Sequence, residues 1–263
     1  MLPAFSIVIP AFNESSRIGE SLITTLAYLT SVSPESEVIV VNDGSTDETG
    51  DVVRRVCATE SRLTTRLIEN FPNRGKGAAV RAGMLAASRP IALFSDADVS
   101  TPIEEVPKLI EPIAAGELDV AFGSRALDRG LIGDRQPWRR ETAGRIFNLL
   151  VRLSTGLPFW DTQCGFKAFR LENCRPLFES AKTDGFGFDV ELLYLARHAQ
   201  LRMREIPVRW NHREGSKVHF VHDSLRMFRE VVSLRSGGRI TRPPRPRHSE
   251  RSEAQSRNTD ESA

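Results

Sequence analysis

The sequence predicts an α/β fold: a mostly parallel central sheet with helices on both faces. Two observations predict it. Short runs rich in Val, Ile, Leu and Phe recur through the first half, separated by segments with helical spacing. The runs are also apolar throughout rather than alternating, as strands buried on both faces must be.

In order, "FSIVIP" (5–10) is the first strand and 15–30 the first helix. "EVIVVND" (37–43) precedes a helix over 46–58 that opens near Thr46. "TRLIEN" (65–70) leads to a helix over 75–88, "IALFSD" (91–96) to one over 103–115, and "DVAFGS" (119–124) closes the series. Ligands of such sheets sit beyond the carboxyl ends of the strands. The polar signals fall there: Asn13 and Glu14, Asp43, Asp96 and Asp98, Ser124 and Arg125.

The second half differs. Residues 125–153 carry seven arginines against three acids, and "PWRRETAGRIFNLLVRLSTG" (137–156) reads as an amphipathic helix with a basic side. Such a helix packs on its own domain or rests on anionic headgroups. A short "GFKAFR" element follows, then helices near 171–180 and 186–199, a strand "MREIPVRW" (203–210) and a last helix near 221–235. From Gly237 the chain is mainly Arg, Pro, Ser and Glu, too poor in apolar residues to order itself. The expected organisation is one domain over 1–236, with a nucleotide-binding half to about 125 and an acceptor half from 126. A disordered tail would occupy 237–263.

Bulk properties narrow the function. At 263 residues and 40% apolar content the chain can bury a core, and a net charge of +2 does not imply nucleic-acid binding. Thirty-one arginines among 36 cationic side chains suit bidentate contact with phosphate. Cys57, Cys164 and Cys174 are too few for a disulfide framework or zinc site and fit a reducing cytoplasm. The N-terminus lacks a basic leader, and no apolar run approaches the 18 or so residues of a spanning helix. A soluble protein, or one lying against a membrane, is expected.

Three motifs carry chemistry. In "VVNDGSTDETG" an acid precedes a turn glycine, either as a helix cap or as an acceptor for a base or ribose. "NRGKG" (73–77) sets two cations at a helix N-terminus, where free N–H groups attract anions, but lacks Walker spacing. In "FSDADVSTP" Asp96 and Asp98 end a strand one residue apart. Two such carboxylates can hold one Mg²⁺ or Mn²⁺ that also binds two phosphates.

These motifs, with "IVIPAFNE", "FGSR", "DTQCGFKAF", "GFDVELLYLA" and "HREGSKV", occur in the order seen in family-2 inverting glycosyltransferases of the GT-A fold. The sequence resembles the dolichyl- and polyprenyl-phosphate glycosyltransferases, above all the β-glucosyltransferase branch, over residues 5 to about 235. The resemblance implies that Pro10, Ala11, Glu14 and Asp43 line a nucleotide pocket, with Lys76 in the nucleotide-sugar cleft. It implies that Asp96 and Asp98 hold metal and diphosphate, and that Ser124 and Arg125 approach the sugar and the acceptor phosphate. Gln163 would line the sugar pocket, and Arg213, Ser216 and Lys217 the acceptor-phosphate region.

The implied reaction moves a hexose, glucose first, from a nucleoside-diphosphate sugar, UDP before GDP, to polyprenyl or dolichyl phosphate with inversion. The place would be the cytoplasmic membrane face, reached by peripheral contact or through a membrane-protein partner. A phosphate monoester is largely dianionic at pH 7, with a second pKa of about 6, and needs cations rather than a base. A hydroxyl acceptor needs a carboxylate base. Asp189 or Glu191 can supply one, or they are simply acids in the first turn of a helix. Mannose or N-acetylhexosamine transfer, a soluble hydroxyl acceptor, a nucleotide-sugar-binding protein and a nucleotidyltransferase stay open. A nucleotidyltransferase would be expected to carry a glycine-rich basic loop after its first strand, where "IPAFNESSRIG" has none.

Overall fold

The computed structural model describes residues 1–60, 62–133, 138–212 and Glu230. The expected tail, most of the expected helix at 221–235, and Arg213, Ser216 and Lys217 lie outside the described residues.

Seven strands form one sheet: β1 (Ser6–Ala11), β2 (Glu37–Asp43), β3 (Thr64–Asn70), β4 (Ile91–Ser95), β5 (Val120–Ser124), β6 (Phe166–Arg170) and β7 (Met203–Pro207). Their spatial order is β3-β2-β1-β4-β6-β5-β7. Pairing is parallel except at β6, which runs antiparallel to both β4 and β5. The sheet is therefore mostly parallel, as expected. The surprise is β6, a strand of the second half inserted between two of the first. The two expected halves share one sheet.

Side-chain alternation divides the core. Val8, Val41, Phe94, Phe122 and Phe169 point to one face, where α3 (Lys76–Ala86), α6 (Leu171–Ser180) and α7 (Phe188–His198) pack. Ile7, Ile9, Val38, Val40 and Leu93 point to the other, under α1 (Ile18–Val32), α2 (Thr49–Thr59) and α4 (Val106–Ala114). Burial on both faces explains the unbroken apolar runs. The edge strands are the exceptions: β3 alternates between exposed and partly buried positions, and no residue of β7 is fully buried.

Two of the boundary shifts have visible causes. The helix expected from Thr46 begins at Thr49, because residues 44–48 are tied to the loop after β1. Asn13 N donates to Ser45 Oγ at 2.9 Å, Thr46 N to Asn13 Oδ1 at 2.8 Å, and Glu14 N to Thr49 Oγ1 at 2.7 Å. The strand expected over 203–210 pairs with β5 only to Pro207, after which Trp210 makes an isolated bridge to Ile132.

The basic amphipathic helix, α5, spans Trp138–Thr155. Val151 is fully buried, yet Ile146, Leu149, Leu150 and Leu153 are 42–71% exposed. Their spacing of three, four and seven residues is that of one helix face, so this face carries an apolar stripe toward solvent. No helix of the described residues is long and apolar enough to cross a membrane.

Candidate active site

The carboxyl ends of β1, β2, β4 and β5 face the same end of the sheet, and the predicted residues follow them. Pro10 and Ala11 close β1 against Val41 and Asn42 and are buried, so they form floor rather than open wall. Glu14 holds Arg17, with Nη2 to Oε1 at 2.8 Å. Arg17 is pushed above its ordinary pKa first by this bond, with Asp98 and Asp96 adding to it. The Glu14–Arg17 pair thus lies within electrostatic reach of the two aspartates.

β4 ends at Ser95, and a turn follows: Val99 N donates to Asp96 O, and Ser100 N to Asp98 Oδ1 at 3.0 Å. Val99 has φ 49°, a left-handed conformation that a β-branched side chain resists. The turn is thus held in a strained shape at the residue after Asp98. Asp96 rests on the next loop, its N–H donating to Gly165 O at 3.2 Å. A Cβ on Gly165 would stand 2.2 Å from Asp96 Oδ2, so only glycine leaves room for this carboxylate.

Lys76, the first residue of α3, brings Nζ to 2.5 Å from Asp96 Oδ1. Burial pulls its pKa down, but the charges of Asp96, Asp189 and Asp98 more than offset that and leave it raised. Asp96 Oδ1 is buried and meets the Lys76 ammonium, with no other partner among the described residues, so it keeps lone-pair capacity. Among the described residues no three His, Cys, Asp or Glu side chains gather as a metal cage. A hard divalent cation suits this donor set only when diphosphate oxygens complete its shell, the usual condition for Mg²⁺ and Mn²⁺. On that test the residues fit.

Two expectations need correction here. Asp43 is 2% exposed and accepts hydrogen bonds from Asn70 Nδ2, Asn73 Nδ2, Arg74 N and Gly75 N. Its carboxylate shapes the loop before α3 instead of opening toward a nucleotide. The N–H groups expected to be free at the α3 N-terminus are also occupied. Gly77 N and Ala78 N both donate to Asp184 O, at 2.8 and 3.3 Å. The cations this loop offers an anion are Lys76 and the exposed Arg74, the latter 3.6 Å from Asp184.

Ser124 is another correction. It is fully buried, donating to Glu205 Oε1 at 2.7 Å and accepting from Ala126 N at 3.2 Å, so it builds the turn after β5 and does not face a sugar. Arg125 follows β5 at the same end of the sheet. Asp161, 7% exposed, receives its Nε and Nη2, and the guanidinium lies 5.7 Å from the Trp210 ring centroid. Burial lowers the Arg125 pKa, but Asp161 more than offsets it, and Asp96 is close enough to contribute. Gln163 sits two residues on, its N–H on Asp161 Oδ1 at 3.2 Å, in the loop that holds Gly165 under Asp96.

Asp189 lies in the first turn of α7, 3% exposed and ion-paired with Lys167 of β6. Burial raises its pKa, and Lys167 and Lys76 offset this only in part. The role of general base is not supported by this placement. Glu191 is also buried and accepts from Lys182 N and Thr183 N at 2.9 and 2.7 Å. Lys167 is the residue that sequence reasoning missed. A lysine inside the apolar strand "FKAF" was the available signal.

Residues 6–178 match the family described as Glycosyl transferase family 2. The dolichyl-phosphate beta-glucosyltransferase of Drosophila melanogaster is 39% identical over 240 residues, covering 87% of this chain and 73% of that protein. The enzyme of that name from Saccharomyces cerevisiae is 34% identical over 248 residues, covering 88% and 73%. Among solved structures, glucosyl-3-phosphoglycerate synthase from Mycobacterium tuberculosis, crystallised with Mn²⁺, UDP and glucosyl-3-phosphoglycerate, superposes with a TM-score of 0.61. At 22% identity it covers 92% of this chain and 81% of that one.

Proposed function

The chain belongs to glycosyl transferase family 2, has the GT-A fold and is a glycosyltransferase; from that premise we propose that it transfers glucose from UDP-glucose to a polyprenyl or dolichyl phosphate with inversion. What carries this reading is the likeness, along most of the chain, to enzymes named for that acceptor and that sugar.

The site chemistry supports it. Asp96 and Asp98 would hold a divalent cation, Mg²⁺ or Mn²⁺, with the donor diphosphate. Bound there, the cation supplies positive charge against the departing diphosphate. Lys76 adds a second positive charge on the same side and orients the leaving oxygens. Arg125, fixed by Asp161 and Trp210, orients the acceptor phosphate. Arg213 and Lys217 add cationic contacts to it, Ser216 offers it a hydroxyl donor, and Gln163 lines the sugar pocket. A dianionic phosphate attacks without losing a proton, which agrees with Asp189 being held in a buried ion pair.

The acceptor's apolar tail requires a bilayer. The outward stripe of α5, with Arg152 over the exposed Trp160 at 4.0 Å, suits peripheral contact with a membrane whose headgroups are anionic. The cytoplasmic face, where nucleotide sugars are available, is the proposed place.

The test uses purified full-length protein, Mn²⁺ and polyprenyl phosphate in vesicles, with a panel of labelled UDP- and GDP-sugars. A lipid-extractable product from UDP-glucose is expected. Product that stays in water overturns the acceptor, and lipid product from a different donor overturns the sugar.

A further inference from the structure

Lys167 is fully buried in the middle of the sheet, level with Phe94 on β4 and Phe122 on β5. Its Nζ donates to Asp189 and, at 2.6 Å, to the carbonyl of Cys164. A lysine there must be fully partnered, and these two groups partner it.

The position matters because a second ammonium lies nearby. The N-termini of α3 and α7 pack tightly: a Cβ on Gly77 would stand 2.7 Å from Phe188 Cβ. Lys76, beside Gly77, has its Nζ 5.9 Å from the Phe188 ring centroid, and Phe188 precedes Asp189. The charges of Asp96 and Asp189 both act on Lys76. Lys76 pairs with Asp96 at the open end of β4 and also feels the charge of Asp189 in the core.

We propose that Lys167 is a positioning residue of the donor site, which takes up the charge of Asp189 and so leaves the Lys76 ammonium to Asp96 and the donor diphosphate. The proposal rests on the nucleotide-sugar reading above. Without the positive charge at 167, Asp189 stays ionised only by drawing on another cation, and Lys76 is the other ammonium whose charge acts on it. Lys76 then turns inward, and the diphosphate loses a contact. Cys164 O, tied to the same Nζ, begins the Cys164–Gly165 segment under Asp96, so Lys167 also steadies that segment.

The test is UDP binding by calorimetry in the presence of Mn²⁺, with folding checked by urea unfolding. Lys167→Gln keeps an N–H donor on a side chain one atom shorter and removes the charge. It is expected to weaken UDP about tenfold, a typical coupling between neighbouring groups. Lys167→Gln combined with Asp189→Asn keeps the same residue at 167 but removes the competing carboxylate. This pair is expected to return UDP affinity to within about threefold of wild type.

An unchanged affinity in Lys167→Gln overturns the proposal, as does equal weakening in single and double variants, which would mean packing alone. Should Lys167→Gln not fold, Lys167→Arg decides, since it keeps charge but not shape. Near-wild-type affinity is expected, and a tenfold loss overturns the role. Wild-type protein that binds neither UDP nor GDP overturns the donor reading itself, and the positioning role with it. Wild-type binding without rescue overturns only the latter.

Discussion

Arg125 grips Asp161 through two parallel hydrogen bonds, Nε to Oδ2 at 2.6 Å and Nη2 to Oδ1 at 2.8 Å, while its own backbone N–H meets Oδ2 at 3.0 Å. The guanidinium is therefore fixed in direction before any ligand arrives. Asp161 is fixed in turn, since its N–H and that of Trp160 both donate to Glu205.

Breaking this pair is expected to be costly. Asp161→Asn leaves a partly buried guanidinium uncompensated and should lower stability by about 3 kcal/mol in urea unfolding. Burial alone would raise the Asp161 carboxyl, but Arg125 more than offsets this, and its folded pKa lies below the ordinary value. A carboxyl depressed on folding contributes stability above its unfolded value, about 3.9, and loses it as pH falls through the folded one. The gap between wild type and Asp161→Asn should be full at neutral pH and close in acid. A gap that stays constant down to pH 2 would refute the assignment.

Gly165→Ala tests the support under Asp96. The new methyl meets the far end of a side chain, not backbone, so the fold should survive with a change of about 1 kcal/mol or less. The carboxylate must move, and Mn²⁺-dependent UDP binding should fall about tenfold or more, because small displacements at such sites have large effects. Calorimetry reads the binding and urea unfolding the stability. Loss of both together would mean that the glycine serves the fold.

The α5 stripe should matter for the vesicle and not for the chemistry. Leu149→Glu or Leu153→Glu lies at an exposed position, so stability should change by about 0.5 kcal/mol or less. Vesicle sedimentation should show weaker binding, and KM for long-chain polyprenyl phosphate should rise while that for a short, water-soluble prenyl phosphate does not. Equal effects on both acceptors would remove the stripe from membrane contact.

Acceptor ionisation sets a pH expectation. If the nucleophile is a phosphate dianion, kcat/KM for the acceptor should decline below a pH of about 6, the second phosphate pKa. Replacing the phosphate by a phosphonate of different pKa should move the limb with it. A limb that ignores the acceptor's pKa would point to a protein base.

Much of the fold was legible because burial on both faces writes unbroken apolar runs, and β1, β2, β4 and β5 are such runs. The place of β6 was not legible. "FKAFR" states that a strand forms, but nothing local says that it will lie between β4 and β5. Asp96, Asp98 and Lys76 were readable as charged residues at strand and helix ends, and the structure brings Lys76 onto Asp96. Asp43 and Ser124 stood at the right strand ends, but their neighbours, Asn73 and Glu205, already satisfied them. Pairings of that kind depend on residues 30 and 81 positions away. Lys167 was hidden for the same reason, its partner lying 22 residues on in another element.

The intercalation of β6 also governs how the chain is made. During synthesis β4 and β5 emerge about 70 and about 40 residues, respectively, before the strand that must bridge them. Until residue 170 leaves the ribosome, each has an open edge toward the other, ready to pair with a wrong neighbour. A fragment ending near residue 125 should therefore aggregate instead of forming a nucleotide-binding unit. Any dissection of this enzyme into donor and acceptor pieces has to keep residues 166–170 with the first.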